Sequence, residues 1–191
     1  MKQLRREILQ SAVTFSRPVI DTLQTNLIEL LNTNSYQKGA WTLHMLRSML
    51  GDSLFFGGVR EYYRLHCHSS ATSDDLCDAF ERVSHSSLRW FFDQWLRRPG
   101  IPNLSASWSF DDGTRTLTIE VTQTAESQPY AFPLTVEVSS SESKSSFVVL
   151  QIPAVRNVTL NLPVVLNARP GRVVFDPRAE LLASIRSASE Q

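Results

Sequence analysis

A chain of 191 residues is long enough for one large domain or two small ones with a real core, and its 42% apolar and 20% charged residues are those of a globular protein. Lys plus Arg and Asp plus Glu stand at 19 each, so no electrostatic footprint points to nucleic acid or an anionic membrane. No apolar run reaches the roughly 18 residues needed to span a bilayer.

The opening MKQLRREILQ is basic and then amphipathic, without the apolar stretch and cleavage site of a secretory signal, and the compartment stays open. After Pro18, the residues Leu27, Leu30 and Leu31 predict a short amphipathic segment. Asn32, Asn34 and Ser35 can each cap a helix N-terminus. From Tyr36 to Leu50, the residues Ala40, Leu43, Leu46 and Leu50 follow helical spacing, and Trp41, Met45 and Met49 widen the stripe. Only His44, Arg47 and Ser48 stay polar, so most of this helix is expected to be buried. Gly39 is out of place on propensity alone, since glycine weakens a helix by about 1 kcal/mol relative to alanine.

Gly51 suits a left-handed stop, and a second helix is expected from near Asp52, with Phe55, Val59, Tyr62 and His66 on one face. Thr72 to Asp75 has the form of a capping box, with aspartate in place of the usual glutamate. It opens a third helix through Leu76, Phe80 and Val83. A fourth, Ser87 to Leu96, carries Leu88, Phe91, Phe92 and Trp95, and Pro99 ends it.

After Pro102 the period becomes two. Leu104, Ala106, Trp108 and Phe110 alternate with serines, Asp111-Asp112-Gly113 makes the turn, and Leu117, Ile119 and Val121 alternate with threonines and Glu120. Further strands are predicted around 134–138, 147–152, 158–162 and 173–175, with the serine run 139–146 as a hairpin loop. The fold class is therefore α+β: a helical bundle over 1–100, an antiparallel β-sandwich over 101–183 and a tail over 184–191.

Local patterns for chemistry are thin. His66-Cys67-His68 is the one metal-like spacing, but two ligands do not close a zinc site, and histidine at a helix end also complements the dipole. Cys67 and Cys77 allow at most one disulfide and lack a nucleophile signature. There is no Gly-x-Ser-x-Gly elbow and no glycine-rich phosphate loop. His44 and His85 have no partner pattern, and Asp74, Asp75 and Asp78 are explained by capping and the helix dipole.

The order of the pieces adds what spacing does not. SYQKGAWTLHMLRSMLGD (35–52), FFGGVREYYRLH (55–66), ATSDDLCDAFE (71–81) and LRWFFDQWLRRPGIP (88–102) together resemble one block of the alanyl aminopeptidase (aminopeptidase N) family. That family comprises gluzincin zinc metallopeptidases and includes the leukotriene hydrolase. The block is the stretch downstream of the zinc motif: a Tyr-x-Lys-Gly helix, a Gly-Asp start to the next, a Thr-x-x-Asp cap, and a Phe-x-x-Trp helix ending in x-x-Pro-Gly-x-Pro. TFSRPVID (14–21) resembles the loop before it, and TLTIEVTQT (116–124), YAFPLTVEV (130–138) and VVFDPRAELL (173–182) resemble the sandwich after it.

The resemblance implies the C-terminal half of a thermolysin-like catalytic domain followed by a β-sandwich, taken from an enzyme that hydrolyses N-terminal residues from peptides. It makes Tyr36 the residue whose hydroxyl donates to the oxyanion formed when zinc-bound water attacks the scissile carbonyl. A phenol stays protonated at neutral pH, and a preorganised donor at a developing oxyanion is worth about 3–4 kcal/mol. Lys38 and Gly39 would lie behind it, the glycine letting the helix start approach neighbouring backbone closely. The family's His-Glu-x-x-His motif and its Gly-x-Met-Glu-Asn loop are both absent. The expectation is therefore a partial chain with no metal ligand of its own, whose zinc and zinc-bearing N-terminal half belong to the complete enzyme, and which is inactive alone. Its surface around helix 36–50 is expected to be unusually apolar. The alternative is a free-standing, non-catalytic module that reuses the fold and binds peptide along a sandwich edge.

Overall fold

Helical spacing gives way to alternation near residue 100, and the computed structural model divides there into two units, 1–100 and 101–191, each taken here by itself. It describes residues 2–139, 145–162 and 169–189. The expected hairpin loop at 139–146 falls mostly in 140–144, outside the described residues.

In the first unit, α1 (Lys2–Gln10) and α2 (Ala12–Ser16) precede a short 3-10 turn, Leu27–Leu30. A widened π turn, Asn34–Lys38, then leads into α3 (Gly39–His66), followed by α4 (Ser73–Ser84) and α5 (Arg89–Leu96). The two helices expected on either side of Gly51 run into one another. Gly51 takes φ 76 and ψ 163, a conformation open only to glycine, and the helix resumes at once, so the expected stop is a kink inside α3. Arg47 bridges the kink, its Nε and Nη2 donating to Asp52 at 2.8 and 3.0 Å.

Past the kink, α3 packs on α4 along a line set by Gly58. A Cβ on Gly58 would lie inside the van der Waals envelope of the Phe80 ring, 2.9 Å from its Cγ, and one on Gly57 would lie 2.9 Å from Val83 Cγ1. Phe55 stacks on Phe80 with ring centroids 5.4 Å apart. This line passes through 55, 58 and 62, which leaves Val59 exposed rather than on the packed face expected of it. Before the kink, Trp41, Thr42, Met45 and Leu46 are buried while Leu43 is exposed, so the 36–50 helix is covered on one side only. Exposed apolar residues flank that helix: Leu23, Leu27, Ile28 and Leu31 before it, and Leu54, Phe56, Val59, Tyr63 and Leu65 after it.

The capping box of α4 forms as read. Asp75 N donates to Thr72 Oγ1 at 3.2 Å, and Thr72 N donates to Asp75 Oδ2 at 2.7 Å. The first amides of α5 find their acceptor on a different helix: Leu88 N and Arg89 N both donate to Glu81 Oε1, at 2.5 and 2.9 Å. Asp74 and Asp78 also reach α5, pairing with Arg89 and Arg97.

In the second unit the described strands are β1 (Asn103–Asp111), β2 (Thr116–Gln123), β3 (Phe132–Ser139), β4 (Ser145–Ile152), β5 (Asn157–Asn161), β6 (Arg172–Phe175) and β7 (Ser184–Ser189). They form two sheets, ordered β5-β2-β1-β7 and β4-β3-β6. Alternate residues meet in one core, Leu104, Leu117, Ile119 and Val121 from the first sheet with Leu134, Val136, Leu150 and Ile152 from the second. The segment expected as a tail is instead β7, paired in parallel with β1 from Asn103↔Ser184 to Trp108↔Ser189. Ile185 is its single large apolar residue, so no alternation announces it; the open edge of β1 recruits it.

The crowding at Gly58 carries an expected outcome. Gly58→Ala forces overpacking against Phe80 and lowers the stability of the helical unit by about 1–3 kcal/mol, seen as a reduced thermal midpoint. Ala at Gly51 acts through φ instead, since no atom lies within 4 Å of a Cβ there.

Candidate functional site

Tyr36 lies at the centre of the π turn, and the residues around it explain why the turn forms. Asn32 caps it: its Oδ1 accepts from Asn34 N at 2.8 Å and Ser35 N at 3.4 Å, and its Nδ2 donates to Glu29 O at 2.5 Å. Ser35 Oγ reaches back to Leu30 O. Gly39 N donates to Asn34 O, five residues back, which is the widened register of a π turn, and also to Tyr36 O; such turns are often found at functional sites.

Of the three cap candidates, Asn34 does something the sequence does not reveal. It is 1% exposed, and its Nδ2 contacts Val13 O, Arg17 O and Pro18 O at 3.1, 2.7 and 3.3 Å. Four residues on, Lys38 is fully buried, and its Nζ donates to Arg98 O and Gly100 O, both at 3.0 Å. The strands of chain that these two side chains hold are themselves joined, Gly100 N to Thr14 O at 2.6 Å and Ile20 N to Leu96 O at 2.9 Å. Between Asn34 and Lys38, Tyr36 is 59% exposed. The structure thus brings Tyr36 and Lys38 onto one turn but turns them opposite ways, one to solvent and one to the core.

Gly39 differs from its expectation. A Cβ there would sit 3.6 Å from Asn34 O, an ordinary contact, so nothing among the described residues requires the close approach that its position suggested. The burial of Lys38 did leave a trace in the sequence: it precedes Trp41, Thr42 and Met45 on one helical face, all buried.

The other candidates stay apart from this turn. His66 stacks on Tyr62, with ring centroids 5.3 Å apart, and lines a shallow depression with Tyr63, Cys67, Ser69 and Ala71. Both cysteines are free; Cys77 is buried, and burial pushes its thiol up to about 12, which keeps it from acting as a nucleophile at neutral pH. Asp74 is held below the usual carboxylate range by its hydrogen bond from Arg97. Among the described residues no three His, Cys, Asp or Glu gather in a way that would hold a metal ion, so those residues do not fit a zinc centre.

The electrostatics of Lys38 set a pH dependence. Burial, with the nearby Arg98 cation adding to it, lowers its pKa from 10.5 to about 8. Below about 8 the lysine is protonated in both folded and unfolded chains. Between about 8 and 10.5 the unfolded chain binds more protons than the folded one, so stability gained at this site rises with pH. The full rise is on the order of 3 kcal/mol. A neutral amine keeps two N–H groups, matching the two carbonyls it faces. Denaturant unfolding from pH 7 to 10.5 should show the wild-type chain gaining on Lys38→Met across this window; parallel curves would remove the effect.

The chain is similar to known proteins in sequence and in fold. The peptidase family M1 domain matches residues 1–95, nearly all of the helical unit. Aminopeptidase N of Escherichia coli (strain K12) is 26% identical over 145 residues, covering 72% of this chain and 17% of the relative. Aminopeptidase N of Lactococcus lactis subsp. lactis is 38% identical over 71 residues, 37% of this chain and 8% of the relative. Mitochondrial aminopeptidase 2 of Saccharomyces cerevisiae is 27% identical over 154 residues, 77% of this chain and 16% of the relative. In fold, the crystal structure of Legionella pneumophila aminopeptidase A in complex with aspartic acid superposes with a TM-score of 0.79 at 16% identity, covering 94% of this chain and 21% of that one. The chain thus spans about a fifth or less of the length of these relatives. With the family's domain matched over residues 1–95, the helical unit belongs to peptidase family M1, and the likeness in fold extends over both units.

Proposed function

We propose that this chain is a working part of a zinc aminopeptidase that removes N-terminal residues from peptides, and that Tyr36 is its contribution to the chemistry. The supporting observation is the turn itself: one exposed tyrosine held between two buried side chains, in the Tyr-x-Lys-Gly setting that resembles the family's oxyanion donor. A phenol held this way can donate to the oxygen that gains negative charge as a peptide carbonyl is attacked. In this reading the zinc that the family's chemistry uses is held by a zinc-bearing half outside this chain, and the chain alone turns nothing over. The exposed apolar residues at 23–31 and 54–65 are available for that half to cover.

With the zinc-bearing half supplied, as a longer polypeptide or by complementation, Tyr36→Phe should lower kcat by roughly tenfold to a thousandfold while KM changes little. Unchanged turnover would end the oxyanion role.

One observation favours a second reading, a module that binds peptide without cleaving it. Among the described residues β4 pairs only with β3, carries no charge, and exposes Phe147 and Val149. An extended apolar peptide can add a strand to such an edge. Under this reading, Val149→Lys abolishes binding of such a peptide by the chain alone, and a chain that binds none of a panel of extended peptides is not this module.

A further inference from the structure

Tyr36 is flanked at two residues on either side by the most costly side chains in its neighbourhood. Asn34 is buried with its Oδ1 lacking a hydrogen-bond partner among the described residues, and a buried acceptor left unpaired costs about 1–3 kcal/mol. Lys38 carries an amine into a site with no exposure at all. A leucine or methionine at either place would serve packing alone without those penalties. Departures of this kind from local rules concentrate where position matters more than stability.

Both side chains spend their donors on main-chain carbonyls, and the carbonyls belong to two segments that are tied to each other. The result is a closed ring of hydrogen bonds: from the turn through Asn34 to 13–18, across Thr14–Gly100 and Ile20–Leu96 to 96–100, and back through Lys38 to the turn. Tyr36 is the one exposed large side chain on this ring's short side. We infer that Asn34 and Lys38 are a pair of positioning residues that fix the direction in which Tyr36 presents its hydroxyl. Neither touches a reacting atom. Their catalytic meaning rests on the oxyanion reading above, whereas the pinning itself does not.

The chain has four tyrosines, Tyr36, Tyr62, Tyr63 and Tyr130, so ring-labelled tyrosine in the full chain reports on the turn with three internal controls. Tyr62 and Tyr63 lie on α3 and Tyr130 in the other unit. In Asn34→Leu and in Lys38→Met, studied where each is folded, the Tyr36 ring signals should shift and sharpen as the ring gains freedom, while the other three stay in place. Because either substitution opens the same ring, the double variant should move Tyr36 no further than the larger single effect. Tyr36 signals unchanged in folded variants would overturn the inference, as would all tyrosines of the helical unit moving together, the mark of general loosening.

If either variant fails to fold, the unmodified chain decides by hydrogen exchange. The amides of Tyr36 and Gly39 should exchange at least about tenfold more slowly than that of Ile28, and exchange at the Ile28 rate would overturn the pinning. Since these readouts need no turnover, a loosened Tyr36 beside an unaffected Tyr36→Phe enzyme would retain the pinning and discard the oxyanion role.

Discussion

A lysine amine with no solvent must find acceptors inside the protein, and the helical unit is organised around where Lys38 finds them. The last carbonyls of a helix have no partner within it, and α5 ends where Pro99 forbids another turn. The carbonyls of Arg98 and Gly100 lie just past that end, and the Lys38 amine takes both. One interaction therefore satisfies a buried amine and two carbonyls of the segment after α5 at once. It also fixes where α3 begins relative to the end of α5, and Asn34 does the same for the segment after α2. The approach of α3 to α4 through Gly58, and the reach of Glu81 and Asp74 from α4 to α5, complete the packing that this anchor orients.

What was legible in the sequence was short-range. Thr72 and Asp75 sit three residues apart and cap one another, so their pattern is complete within a single turn. The alternation of β1 to β4 is likewise written in each strand, because each buries one face. Gly51 was readable as a break but not as a kink, since only the packing of α3 on α4 decides whether the helix resumes. The start of α5 was misplaced by two residues because its cap is Glu81, on another helix. Strand β7 could not be read at all, since its pairing with β1 supplies the order that its serines do not.

The candidate site divides the same way. Tyr36 was singled out through an ordered set of motifs, and the structure leaves its side chain exposed. The part played by Asn34 was hidden because its acceptors lie some twenty residues earlier in the chain, and a cap and a cross-link use the same residue type. The family match covers the helical unit, while the shared fold reaches both units.

The parallel pairing of β1 with β7 bears on how the second unit comes into being. Asn103 is the first residue of the unit's first strand and Ser184 the first of its last, so the two edges meet only after nearly the whole unit has emerged from the ribosome. Contacts of such long separation slow folding, and until they form β1 shows an unpaired edge. The helical unit, made first, has its ring of hydrogen bonds in hand by Gly100. During synthesis the platform of Tyr36 can therefore be finished while the sheets are still waiting for their last strand.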